Sequence, residues 1–203
     1  MTSMDGRGAD LAFDRLAGWL SLLAGVAGLG YAVAFVVLKD AGLSGLFLLL
    51  APLLATTGLV AVYERVRTAS SGLALLGLVL GAVGSIGASV HGAYDLANVL
   101  HPPAGGVPEG LPNAIDPRGY LTFGLTGVAL VLLAWLADRA GGMPGWVQPV
   151  GMVLGVVLVI TWLARLIVLD ATSLLVLGPA LVAGILSPLF FLGLGAWLLG
   201  WRR

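Results

Sequence analysis

Residues 73–98 read LALLGLVLGAVGSIGASVHGAYDLAN, with no ionisable side chain before His91. About 20 apolar residues in a helix cross the roughly 30 Å hydrocarbon layer of a bilayer, so this stretch is long enough to span one. Its small residues also keep a helical beat. Gly77, Gly81, Gly84, Ala88, His91, Asp95 and Asn98 recur at steps of three and four, which places them on one stripe. The first part of the stripe suits close packing against another helix, and the last part is polar. A soluble amphipathic helix would instead carry a broad charged face.

Comparable apolar runs lie at about 16–38, 43–63, 120–137, 146–169 and 174–201. Together they predict an all-α polytopic bundle, a single transmembrane domain over residues 1–203 with six crossings. Composition agrees. The chain is 59% hydrophobic and 10% charged, against roughly 25% charged for a soluble domain, and its mean hydropathy is +1.05. Residues 1–15 carry Asp5, Arg7, Asp10, Asp14 and Arg15 rather than the basic start of a secretory signal, so 16–38 reads as a retained first helix. A net charge of zero argues against a nucleic-acid partner. The absence of cysteine excludes disulfides, thiolate catalysis and cysteine-held metal.

Basic residues set the expected orientation. Arg7, Arg15, Arg65, Arg67, Arg139, Arg202 and Arg203 fall on the side of the termini, whereas Lys39 and Arg118 fall in loops on the other. The positive-inside rule then puts both termini in the cytoplasm, in an inner cell membrane. The longest connection, 101–119, holds Pro102, Pro103, Pro108, Pro112 and Pro117 and is expected outside, as a cap or a plain connector.

An internal repeat is suggested by Gly77-Leu-Val-Leu-Gly81, Gly151-Met-Val-Leu-Gly155 and Ala24-Gly-Val-Ala-Gly28 on the odd-numbered helices. The even-numbered ones end alike, in Ala61-Val-Tyr63-Glu-Arg65, Ala134-Trp-Leu-Ala-Asp138-Arg139 and Ala196-Trp-Leu-Leu-Gly-Trp201-Arg202. Three helical hairpins is the corresponding expectation, although Gly/Ala/Leu-rich helices align readily by composition alone.

Ionisable groups within spanning helices are rare and are the first place to look for a site. His91 and Asp95 form an i,i+4 pair in which the carboxylate can orient the imidazole and fix its tautomer. On the fifth helix Thr161, Trp162 and Arg165 share a face, and the indole could stack on the guanidinium. The repeat carries His91 onto Arg165, which makes Asp95 a natural counter-ion for Arg165. The expected ligand-binding set is therefore His91, Asp95, Asn98, Trp162 and Arg165. Its alternative role is an interfacial latch that fixes helix register, because all of these lie near the outer hydrocarbon edge. No catalytic or metal set is predicted: two histidines and a lone helical carboxylate fall short of a zinc site. Nor is a serine placed as a rhomboid-type nucleophile, and no cofactor is implied.

The stretch from Thr122-Phe-Gly124-Leu125 to Leu133, then Met143-Pro144-Gly145 and Gly151, resembles an uncharacterised bacterial six-helix family, domain of unknown function 4386. Arg15-Leu-Ala-Gly18 and the closing Ala196-Trp-Leu-Leu are similar to it as well. The resemblance implies six membrane helices and brings no catalytic residue. The expected function is a membrane protein that binds a lipid or small amphiphile in an outward-facing pocket, or an accessory subunit of a larger membrane complex or homo-oligomer. A small permease is the alternative, given Pro52 and Pro188 within spanning runs. An intramembrane hydrolase comes last.

Overall fold

The computed structural model describes residues 4–106, 117–168 and 173–201, with side chains described in 11–106, 124–168 and 173–201. Among these residues there are six α-helices and no strand. They are α1 (Met4–Ala32), continued by a π-helical segment (Val33–Leu38), then α2 (Ala41–Val66) and α3 (Ser71–Leu100). After these come α4 (Pro117–Ala140), α5 (Val147–Ile167) and α6 (Leu174–Leu198). Five apolar segments have spanning length: Leu11–Leu38, α2, α3, α5 and α6. The first turns of α4 lie outside the described side chains.

The surface explains the solvent. Val26, Leu75, Val79, Ile86, Val153, Ile160 and Ile185 stand exposed around the bundle, with Ile167 at 80% and Leu174 at 81%. In water so much contiguous apolar surface would drive association. In lipid it is matched, and each helix satisfies its own backbone polar groups. The chain is a multi-pass integral membrane protein.

Helix ends differ from the sequence reading by a few residues, for local reasons. α1 starts well before residue 16, because a helix does not stop where lipid does. α2 starts at Ala41 because the Asp40 carboxylate accepts from the Leu43 N–H at 2.9 Å, a side-chain N-cap. α4 starts at Pro117, whose missing donor is harmless at a first turn, so the helix takes up the end of the predicted 101–119 loop. Residues 107–116 of that loop lie outside the described residues. α6 ends at Leu198 rather than 201, because Gly200 turns left-handed at φ 74°. Its N–H reaches Trp197 O at 2.9 Å and that of Trp201 reaches Ala196 O at 3.0 Å, closing the helix with two reversed bonds. Gly141 does the same after α4 at φ 65°, with Gly142 N–H on Ala137 O at 3.1 Å. After α1 this work falls to Lys39, the one non-glycine residue at positive φ (54°) among the described residues.

The helices follow one another around a closed ring, and α6 returns to α1. α2 also touches α4 and α6 across the middle, so the even helices supply much of the core. Leu59 and Val62 of α2, Leu130, Leu133 and Leu136 of α4, and Phe190 and Leu194 of α6 are all buried there, joined by Leu154 of α5. Each odd helix packs on its own hairpin partner and on the even helix of the preceding hairpin. The three seams between hairpins share one device, a glycine from each side. Gly45 faces Gly92 where α2 meets α3, Gly127 faces Gly155 where α4 meets α5, and Gly195 faces Gly18 where α6 meets α1. A Cβ on Gly155 would sit 2.8 Å from Gly127 O, and one on Gly195 2.7 Å from Gly18 O. Without a hydrophobic force between helices in lipid, such backbone approach supplies the packing energy. The pseudo-threefold order of neighbours agrees with three hairpins. The individual repeat glycines do not make equivalent contacts: Gly81 faces Leu59 and Ala129 side chains, whereas Gly155 faces backbone.

At one end of the bundle the Trp19 ring of α1 and the Trp201 ring just after α6 pack edge to face at 5.7 Å. This is called the terminal end below, and the opposite one the distal end.

Candidate functional site

Four polar side chains lie toward the distal end of the odd helices: His91 and Asp95 of α3, Tyr31 of α1 and Arg165 of α5. On α3, His91 Nε2 lies 3.2 Å from Asp95 Oδ2, with the two side chains 21% and 39% exposed. Helical geometry makes this contact, since residues four apart stack on one face. On α1, Tyr31 stacks on Phe35 at 5.6 Å and 15°. Of the two partners that sequence offers Asp95, the structure thus supplies His91. Among the described residues Asp95 and Arg165 are not within ion-pair distance, and both His91 and Arg165 have further interactions of their own.

The other expected residues divide. Asn98 joins Asp95 in the wall of an open groove of about 410 Å³. Trp162 lies instead over Gly124 of α4, where its ring fills the space a Cβ would take. Its neighbour Thr161 is buried and donates its hydroxyl to Val157 O at 2.8 Å, within its own helix. Trp162 therefore packs a helix seam away from the groove wall.

The groove is built by a turn and two helix ends. Phe35 comes from the π-helical segment, Lys39 and Asp40 from the turn, Ala41 and Ser44 from the start of α2, and Asp95, Asn98 and Val99 from the end of α3. The π segment matters here. Its wider coil lets Ala34 O accept from both the Lys39 and Asp40 N–H groups, which swings Lys39 over the rim. Asp40 is occupied as the cap of α2, and Ser44 donates to Ala41 O at 3.1 Å. Lys39, Asp95 and Asn98 are thus the polar groups left to meet a ligand, with Phe35 and Val99 as apolar wall. Among the described residues no three His, Asp or Glu side chains converge as metal ligands would.

Sequence reasoning missed Phe35, Lys39 and Ser44 as site residues and counted Lys39 only as a loop charge. A usable signal was present. Lys39 is the only lysine in the chain and directly precedes an Asp that opens a helix.

A second polar cluster closes the terminal end. Arg65 Nη2 binds Asp14 Oδ2 at 2.8 Å, joining α2 to α1, and Nη1 donates to Ala61 O at 2.8 Å. The same guanidinium lies 4.8 Å from the Trp197 ring of α6, and Gly142 of the α4–α5 turn abuts the Arg65 stem. Four parts of the chain meet on one side chain. On the fourth helix Arg139 stacks on Trp135 at 3.7 Å. The Arg65 contacts tie α1, α2, α6 and the α4–α5 turn together as a clasp at this end of the bundle.

No family model matches the chain, and no curated protein or solved structure matches it either.

Proposed function

We propose that the protein binds a lipid or small amphiphile in the distal groove. One observation carries the reading. The groove is lined by Lys39, Asp95 and Asn98 together with Phe35 and Val99, and their sequence neighbours Val36, Val37, Leu38 and Leu100 are exposed. A site lined by both polar and apolar groups suits a molecule that carries both. The basic residues around the terminal end support a cytoplasmic placement of both termini, which would open the groove to the outer leaflet of a cell membrane. The resemblance to the six-helix family of unknown function is proposed on residues alone and adds no chemistry.

A permease finds less support. α2 and α6 run on as helices through Pro52, Pro179 and Pro188. Thr56 and Thr57 spend their hydroxyls on Leu53 O and Leu54 O of their own helix rather than on a pathway.

The test is native mass spectrometry of the full chain purified in mild detergent. A lipid-sized adduct is expected on the wild type and should be lost from Ala41→Trp, which fills the groove from the exposed start of α2. An adduct that survives this substitution, or none at all, would refute the reading.

A further inference from the structure

Resting on the amphiphile reading, we infer that the groove selects a zwitterionic phosphoethanolamine headgroup, with the phosphate on Lys39 and the primary ammonium on Asp95. Both side chains line the same groove, one from the α1–α2 turn and one from α3, so it presents one cation and one anion to its occupant. The Lys39 ammonium makes no ion pair among the described residues. The Asp95 carboxylate has spare capacity. It can accept about four hydrogen bonds, is 39% exposed, and is engaged by His91 through Oδ2.

Headgroup chemistry then decides between lipids. A purely anionic headgroup would satisfy Lys39 but bring no cation to the Asp95 carboxylate. A choline headgroup carries the right charges, yet its quaternary nitrogen has no N–H to give Asp95 or Asn98. Quaternary ammonium groups are held by aromatic cages, and Phe35 is the only aromatic ring in the lining. A primary ammonium has three donors, enough for Asp95 and the Asn98 carbonyl together. At the phosphate end, Ala41 opens α2, and its N–H lies in the first turn, where no intrahelical acceptor exists.

The backbone adds an independent sign. Gly141 and Gly200 occupy the other left-handed helix stops among the described hairpin ends, but at the groove rim the same conformation is held by lysine. A left-handed backbone at a residue other than glycine stores strain, and such strain clusters at ligand contacts.

The experiment titrates delipidated full-length protein in mild detergent with phosphatidylethanolamine, phosphatidylcholine and phosphatidylglycerol of identical chains, read by native mass spectrometry. A charge-assisted hydrogen bond corresponds to about tenfold in affinity, so phosphatidylethanolamine should bind about tenfold tighter than either competitor. Asp95→Asn should remove the advantage over phosphatidylcholine, and Lys39→Gln should weaken all three lipids. Lys39→Gly is the companion variant, because it suits the backbone at this position and still removes the ammonium. Equal affinity for the three lipids, all displaced by Ala41→Trp, would overturn the headgroup inference and leave the amphiphile reading standing. Failure of any lipid to respond to Ala41→Trp would overturn the reading itself. Soluble O-phosphoethanolamine binding as tightly as the lipid would overturn a membrane source for the ligand.

Discussion

Replacing Gly92 with alanine tests how the bundle is held. Gly92 is buried on α3, and a Cβ built there would meet the Leu49 N, the Leu48 C at 2.6 Å and the Gly45 O at 2.7 Å. All three are backbone atoms of α2, so no rotamer change relieves the contact. Ordinary contact is about 3.5–4.0 Å, which means the two helices must separate by about 1 Å. A gap of that size forfeits about a quarter to a half of the dispersion energy of the atoms along the seam. Overpacking of this kind costs about 1–3 kcal/mol, and about 2 kcal/mol is expected here because nothing soft can yield. For a chain of this length that corresponds to a fall of about 4–8 °C in Tm. The assay is thermal loss of the monodisperse size-exclusion peak in detergent. Gly184→Ala is the control. Its Cβ meets nothing within 4 Å, and alanine is the better helix former by up to about 1 kcal/mol, so that variant should melt at or above the wild type. Equal melting of Gly92→Ala and Gly184→Ala would refute close backbone approach as the source of packing energy.

Lys39→Gly should raise thermal stability by about 0.5–1 kcal/mol, since lysine at φ 54° carries a left-handed strain that glycine lacks; an unchanged or lower Tm would remove the strain argument. At the terminal end, a double-mutant cycle with Asp14→Asn and Arg65→Gln should report a coupling of about 1 kcal/mol, near the upper end for a partly exposed pair. Additive losses in that cycle would mean that Arg65 acts through Trp197 and Ala61 alone. Because the chain has no cysteine, single substitutions give clean topology labels. Gly105→Cys lies past the distal end of α3 and Gly145→Cys in the α4–α5 turn, and a Cβ at either meets nothing within 4 Å. A membrane-impermeant maleimide should label the first in intact cells and the second only after lysis. The reverse pattern would turn the protein over and place the groove in the cytoplasmic leaflet.

The helices were legible in the sequence because lipid demands long apolar runs, and a run such as residues 73–98 has few other uses. The ends were less so. Asp40, Pro117 and Gly200 each set a boundary through one local contact or one dihedral, which hydropathy does not report. The helical stripe on α3 put His91 beside Asp95, since i,i+4 geometry is encoded in spacing alone. What spacing does not encode is the facing element. Gly77-Leu-Val-Leu-Gly81 drew attention as a packing motif, yet it meets the side chains of Leu133 and Leu59, while the backbone of α2 comes close at Gly92. Its partner Gly45 belongs to no motif. The groove was hidden for the same reason, because Lys39 and Asp95 are brought together by the α1–α2 turn lying across the end of α3. Arg65 and Asp14 are 51 residues apart, so the clasp they form has no local signature.

The most direct test of the account is to map where an amphiphile sits. A phospholipid carrying a photoreactive diazirine near its headgroup would be added to the full-length protein in lipid nanodiscs, irradiated, and the adducts located by peptide mass spectrometry. The account predicts adducts concentrated at Phe35–Ser44 and Asp95–Val99, competed by excess unlabelled phosphatidylethanolamine and absent from Ala41→Trp. Adducts spread evenly along the exposed faces of α1, α3 and α5, with no loss in that variant, would contradict it.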